Sequence, residues 1–334
     1  MKNCNFINNT ATDGGGGVFW TSINGNIINS TFIGNAANDA GGIHLNARNC
    51  IITESVFINN TANRWGGGAL ANGFNSILTD CTFTGNTANA GGGIQWRAAN
   101  GKLADSNFIN NTANGWGGGI DWGGANGALT GCTFTSNHVI SNGGAVSWNG
   151  PNGTLTDSNF TGNNAGINGG GIQWRGDNGI LTGCTFISNI ANNVGGGISG
   201  EFNYNLTISN CDFVGNTAKS NSHGGGGIFI NKYSNIISSY FKDNTANKGG
   251  AIYCRDNGTI INCSFINSKS ITVNRIYANN NLQFNGGNGI VYIVTQGTIS
   301  GTSIVVLNNE TYYYPPNTNI NLADKFKNKR SRQR

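Results

Sequence analysis

Thr79-Asp80-Cys81-Thr82-Phe83-Thr84-Gly85-Asn86, followed by Gly91-Gly92-Gly93-Ile94-Gln95-Trp96, decides the fold, because nearly the same pattern returns one period later. Phe83 is answered by Phe6, Phe32, Phe57, Phe108, Phe134, Phe160, Phe186, Phe213, Phe241 and Phe265, at steps of 24 to 28 residues. Self-similarity at such a period marks a repeat architecture, in which each unit buries its apolar face against the next.

Within the unit, a small residue stands two before the phenylalanine (Cys81, Ser106, Cys132, Ser158, Cys184) and an asparagine three after it (Asn86, Asn111, Asn137, Asn163, Asn189). A glycine run and an aliphatic residue follow. The 54 glycines and abundant asparagines disfavour helix, and no stretch carries an apolar period of 3.6. Short alternations such as Cys81-x-Phe83 and Ile94-x-Trp96 place side chains on one face of a strand. Leu78, Leu103, Leu129, Leu155 and Leu181 stand five before the phenylalanine, out of parity with it, so a corner lies between. Asp80, Asp105, Gly131, Asp157, Gly183 and Asn210 suit that corner. About three short strands per unit predict an all-β fold: a single-stranded parallel β-helix, or solenoid, of about 11 coils. Parallel crossovers favour the right-handed form. The repeat spans residues 1–270. Residues 271–316 form a short β-rich segment that caps the rod or opens a further domain, and 317–334 a basic, disordered tail.

Each column of the repeat becomes a ladder along the rod. Phe83, Phe108, Phe134, Phe160 and Phe186 are expected as a buried aromatic stack. Asn86, Asn111, Asn137, Asn163 and Asn189 read as turn residues in left-handed geometry, each amide bonding the next coil. Trp96, Trp122, Trp148 and Trp174 share the parity of Ile94 and so point inward, with a sugar-stacking platform as the alternative. On the opposite face of that strand lie His44, Gln95, Asp121, Ser147 and Gln173, with Arg97 and Arg175 beside them. These seven are the candidate binding stripe; the alternative is a solvated sheet face.

Lys325, Lys327, Lys329, Arg330, Arg332 and Arg334 account for the net charge of +5, so the rod itself is near neutral and offers nucleic acid no basic groove. The eight cysteines read as small buried free thiols. Cys81 and Cys132 lie two coils apart, beyond disulfide reach, whereas Cys184 and Cys211 occupy adjacent coils and a bridge there stays open. No Cys/His spacing suits a metal, and no cofactor motif is found. Asn205 and Asn257 head sequons suited to surface glycosylation. No signal peptide or membrane-spanning run is seen, and Met1 falls inside the first coil, which reads as a fragment with an uncapped end open to end-to-end stacking with another chain.

Phe83-Thr84-Gly85-Asn86, paired with Gly67–Leu70, Gly143–Val146 and Gly249–Ile252, resembles the repeat of polymorphic outer-membrane proteins (Pmp) and archaeal adhesin-like proteins. The resemblance covers residues 1 to about 268. It implies a right-handed β-helix on a cell surface, with adhesion to extracellular glycans or surface partners and no defined catalytic residues. The alternative function is a polysaccharide lyase or glycoside hydrolase. That chemistry needs carboxylates converging on one cleft, whereas here they are scattered singly. Asp80 and Asp105 stack at adjacent corners, where Asp also suits the turn.

Overall fold

The structure, a computed structural model, describes residues 1–201, 204–230, 233–255 and 258–270. Beyond them it describes the strands Ile276–Ala278, Leu282–Asn285, Ile293–Thr295, Thr298–Ser300, Ile304–Leu307, Glu310–Tyr313 and Asn319–Asn321. The chain is an all-β parallel solenoid, without helix among the described residues. One coil runs through the leucine strand Ile77–Thr79, the phenylalanine strand Thr82–Thr84, a short strand Thr87–Ala90 and the tryptophan strand Ile94–Trp96. Stacked coils turn these into four sheets; the phenylalanine sheet has 11 strands. The reading of three strands per unit missed the short one. It carries only two to five residues, often Thr-Ala, and so lacks a hydrophobic signal.

Register is kept residue for residue: Phe83 pairs with Phe57 and Phe108, and Trp122 with Trp96 and Trp148. Phenylalanine rings therefore stack 4.4 to 5.1 Å apart from Phe6 to Phe265. Trp96, Trp122, Trp148 and Trp174 form a parallel stack at 4.6 to 4.7 Å, fully buried, so they offer no platform to sugars. Two stacks of this kind supply the apolar burial that a glycine-rich chain otherwise lacks.

The corner residues adopt left-handed geometry: φ is +53° at Asp80, +47° at Asp105 and +64° at Gly131. The asparagine column differs from the turn expected. The left-handed residue is its predecessor, such as Gly85 (φ +65°) or Asn110 (φ +53°), and the asparagine itself is buried. Asn111 Nδ2 donates to Phe83 O (2.9 Å) and to Asn137 Oδ1 (3.0 Å), and the Asn111 N–H donates to the same Oδ1 (3.0 Å). Each amide thus satisfies a backbone carbonyl one coil back and a backbone N–H, which a buried polar group requires.

Glycine runs meet three demands in order. Gly91 has φ +64°. A Cβ at Gly92 would lie 2.3 Å from Gly118 O, and one at Gly93 2.9 Å from the Phe108 ring. Gly67–Leu70 is one residue out of frame with Gly143–Val146: Ala69, not Leu70, pairs with Ile94. Leu70 accordingly falls on the outer column, opposite Gln95.

The tryptophan and leucine sheets run on past residue 270: Ile276–Ala278 pairs in parallel with Ile252–Cys254, and Leu282–Asn285 with Gly258–Ile261. All cysteines are free thiols, including Cys184 and Cys211. The basic stretch 325–334 and Asn257 lie outside the described residues.

Candidate binding groove

The outer column of the tryptophan sheet runs Phe19, His44, Leu70, Gln95, Asp121, Ser147, Gln173, Ser199, Phe229, Tyr253. Parity sends these side chains away from the core, yet from His44 to Tyr253 they are buried; Asp121 is 7% exposed and Gln173 0%. The solvated-face reading is therefore wrong, and the stripe is not a surface. It is the floor of a groove, covered from both sides by neighbouring columns.

One wall precedes the tryptophan strand. Asp39, Trp65, Ala90 and Trp116 are in register, and Trp116 bridges to Asn142. Asn168 follows Asn142 one coil on. The other wall follows the strand: Arg97, Gly123, Asn149 and Arg175 donate their N–H groups to Ala71, Trp96, Trp122 and Trp148 in turn. Glu201 and Arg255 continue it.

The walls meet twice, each time diagonally across one coil step. Arg97 lies over the Trp65 ring at 3.7 Å, with Arg64 at 4.5 Å from the same ring and paired to Asp39 at 2.8 Å. Four coils on, Asn168 Nδ2 donates to Glu201 Oε2 at 3.1 Å, and Glu201 also pairs with Arg255 at 3.5 Å. These two clasps cover Leu70 and Gln95 at one end and Gln173 and Ser199 at the other.

Asp121 and Ser147 lie between them. Asn149 Nδ2 donates to Asp121 Oδ1 at 2.9 Å and to Ser147 Oγ at 3.3 Å. Gln95 Nε2 donates to the Asp121 carbonyl at 3.3 Å. Burial pushes the Asp121 carboxyl up from its ordinary value; hydrogen bonds from Gln95 and Ser147 and the guanidiniums of Arg97 and Arg175 pull the other way. Beside Asp121 the second wall is only Gly123, where a Cβ would meet nothing nearer than Trp96 O at 3.7 Å. Across from it Trp116 is 43% exposed. The combination is an opening with a buried carboxyl beneath and an aromatic rim.

The structure thus brings Gln95, Arg97, Asp121, Ser147, Gln173 and Arg175 to one groove. His44 sits at its far end against Phe19 (4.7 Å, edge-on), with Asn72 on its Nε2 at 2.9 Å, and burial lowers its pKa. Asp80 and Asp105 stay exposed on the distant corner. Sequence reading missed Trp65, Trp116, Asn149, Asn168 and Glu201. Trp65 and Trp116 hold one repeat position in alternate coils, a signal available from the sequence. It also missed a second asparagine ladder, Asn75, Asn100, Asn126, Asn152 and Asn178, exposed and left-handed, with amides linked at 3.1 to 3.2 Å.

No helix among the described residues is long and apolar enough to cross a membrane, and no group of three or more His, Cys, Asp or Glu is placed to hold a metal there. Residues 80–95, 105–121 and 238–255 match the family model of the Chlamydia polymorphic membrane protein repeat. No curated protein and no solved structure matches the chain. The match lends no support to an archaeal source. Repeat type and fold fit an adhesin-like or structural role at a cell surface. The chain is a parallel β-helix repeat protein, and three of its segments match the Pmp-type repeat.

Proposed function

We propose that this is a cell-surface adhesin-like rod that holds an extracellular glycan in the groove over Asp121. The observation that carries the reading is the opening itself. A buried carboxyl lies beside Gly123, with Asn149 bonded to it, Gln95 bonded to the Asp121 backbone carbonyl and a half-exposed Trp116 at the rim. Planar polar side chains at fixed positions and an aromatic face are the groups that sugars use, hydroxyls on the former and C–H faces on the latter. A long stacked rod presents such a site without moving parts.

The hydrolase alternative needs two carboxyl groups on one cleft. Asp121 supplies one. The other wall acids, Asp39 and Glu201, are tied to Arg64 and to Asn168 and Arg255 in the clasps. Retention of the purified chain on immobilised polysaccharides, with mass spectrometry of the supernatant, tests both readings. Retention lost in Trp116→Ala, without release of oligosaccharides, is the expected result. Sustained protein-dependent release overturns the non-catalytic reading, and equal retention of Trp116→Ala overturns the groove.

A further inference from the structure

We infer that the opening over Asp121 takes an acidic sugar chain, carboxylate- or sulfate-bearing, with one anionic group on the guanidinium of Arg97 and another on that of Arg175. This rests on the glycan-groove reading and adds the class of ligand.

The first ground is where the charges lie. Of the arginines among the described residues, Arg48 alone is off the groove; Arg64, Arg97, Arg175 and Arg255 are on its walls or packed against them. Exposed acids collect elsewhere: Glu54, Asp80, Asp105 and Asp157 occupy the corner between leucine and phenylalanine strands. Asp39 and Glu201 on the same walls pair with Arg64 and Arg255, so the charge that draws an anionic ligand to the groove rests on Arg97 and Arg175, away from the acidic seam.

The second ground is the placement of two arginines on the same wall. Arg97 stands one coil before Asp121 and Arg175 two coils after it, both near enough to act on its carboxyl. They bracket the opening at Gly123. The Arg97 guanidinium carbon lies over the Trp65 ring, and N–H donors in the plane of a guanidinium match the oxygens of a carboxylate or sulfate.

The third ground is unfilled hydrogen bonding on the floor. The Gln173 amide and the Ser199 hydroxyl are fully buried, and neither has a partner. Buried polar groups are normally satisfied. Gln173 is in register with Ser147 at the edge of the opening, where its Nε2 is a donor suited to an anionic oxygen, whereas Ser199 lies one coil further on, towards Glu201. The same layout disfavours nucleic acid: the two arginines are three coils apart, about 14 Å at strand spacing, far sparser than the phosphates of a strand.

The test is calorimetric titration of the full chain with an oligouronate, the same oligomer reduced to its neutral sugar, a sulfated neutral oligosaccharide and a single-stranded DNA oligonucleotide. The acidic oligomers should bind at least tenfold tighter than the reduced one, and the tighter of the two names the source of the charge. Arg97→Gln with Arg175→Gln should abolish that preference, whereas the charge-matched Arg48→Gln with Lys102→Gln should leave it. Arg175→Gln alone keeps the Trp65 contact and serves if the double variant misfolds. Equal binding of the reduced oligomer overturns the acidic-sugar inference and leaves the glycan groove standing. Binding of no sugar overturns both. DNA binding tighter than any sugar, or an equal loss in the Arg48/Lys102 variant, shows general polyanion attraction and overturns the inference.

Discussion

The guanidinium carbon of Arg97 sits 3.7 Å from the ring centroid of Trp65, so a side chain from one wall of the groove covers a side chain from the other. The two belong to successive coils, and the contact crosses the outer column between Leu70 and Gln95. Trp65→Ala removes that cover. A loss of about 1–2 kcal/mol is expected, from the cation–π contact and the burial beneath it. Amide hydrogen exchange should speed up at residues 69–72 and 94–97 and stay unchanged at residues 145–150.

The buried asparagine ladder should tolerate far less than the exposed one. Asn137→Ala deprives the Asn111 N–H and the Phe108 carbonyl of their partners. At about 1–3 kcal/mol for each buried group left unsatisfied, the loss should reach roughly 2–6 kcal/mol. Asn126→Gly on the exposed ladder keeps the left-handed turn and should change stability by less than about 0.5 kcal/mol, since glycine has no cost there. Urea unfolding of both variants checks the contrast.

Two neighbouring glycines should respond in opposite ways. A Cβ at Gly127 would lie 2.3 Å from Trp122 Nε1, inside the tryptophan stack, so Gly127→Ala should cost about 1–3 kcal/mol by overpacking. Gly123 opens on the groove, and Gly123→Leu should fold with an unchanged melting temperature while reducing glycan retention at least tenfold. A variant that melts as wild type and still retains the glycan would remove the opening as the binding site.

Asp121 makes stability fall as pH rises. Its folded pKa is raised by burial, so between the unfolded value of about 3.9 and the higher folded value the native state holds the extra proton. Stability is greatest below that window and declines through it. Asp121→Asn should lack this decline and be more stable than wild type at neutral pH. Thermal melts of both proteins from pH 3 to pH 8 give the comparison.

Burial pushes the thiols of Cys81 and Cys132 up to about 12 and that of Cys263 up to about 11. Cys184 is pushed up by its hydrogen bond with Cys211 and by burial. The thiolate is the reactive form. A maleimide at pH 7.5 should therefore label the native protein at Cys4, which alone is partly exposed, and all eight cysteines in denaturant. Mass spectrometry of the two samples decides it.

The sequence by itself determined the solenoid. A 25-residue return of Phe, Asn and Gly leaves each unit unable to bury its own apolar face, so stacking in register is the available solution, and every column becomes a ladder. The corner at Asp80, Asp105 and Gly131 was legible from parity alone, because two inward residues five apart cannot share one strand. The groove was not. Parity told that Gln95, Asp121 and Gln173 point outward, but whether an outward residue meets water depends on the height of the columns beside it. Those heights are set by Trp65, Arg97 and Glu201, long side chains that reach across one coil step to partners distant in the chain. The repeat fixes where a side chain starts; only the tertiary structure decides what its far end touches. A clasp between Asn168 and Glu201, or an opening at Gly123, is a property of adjacent coils together and of no single one.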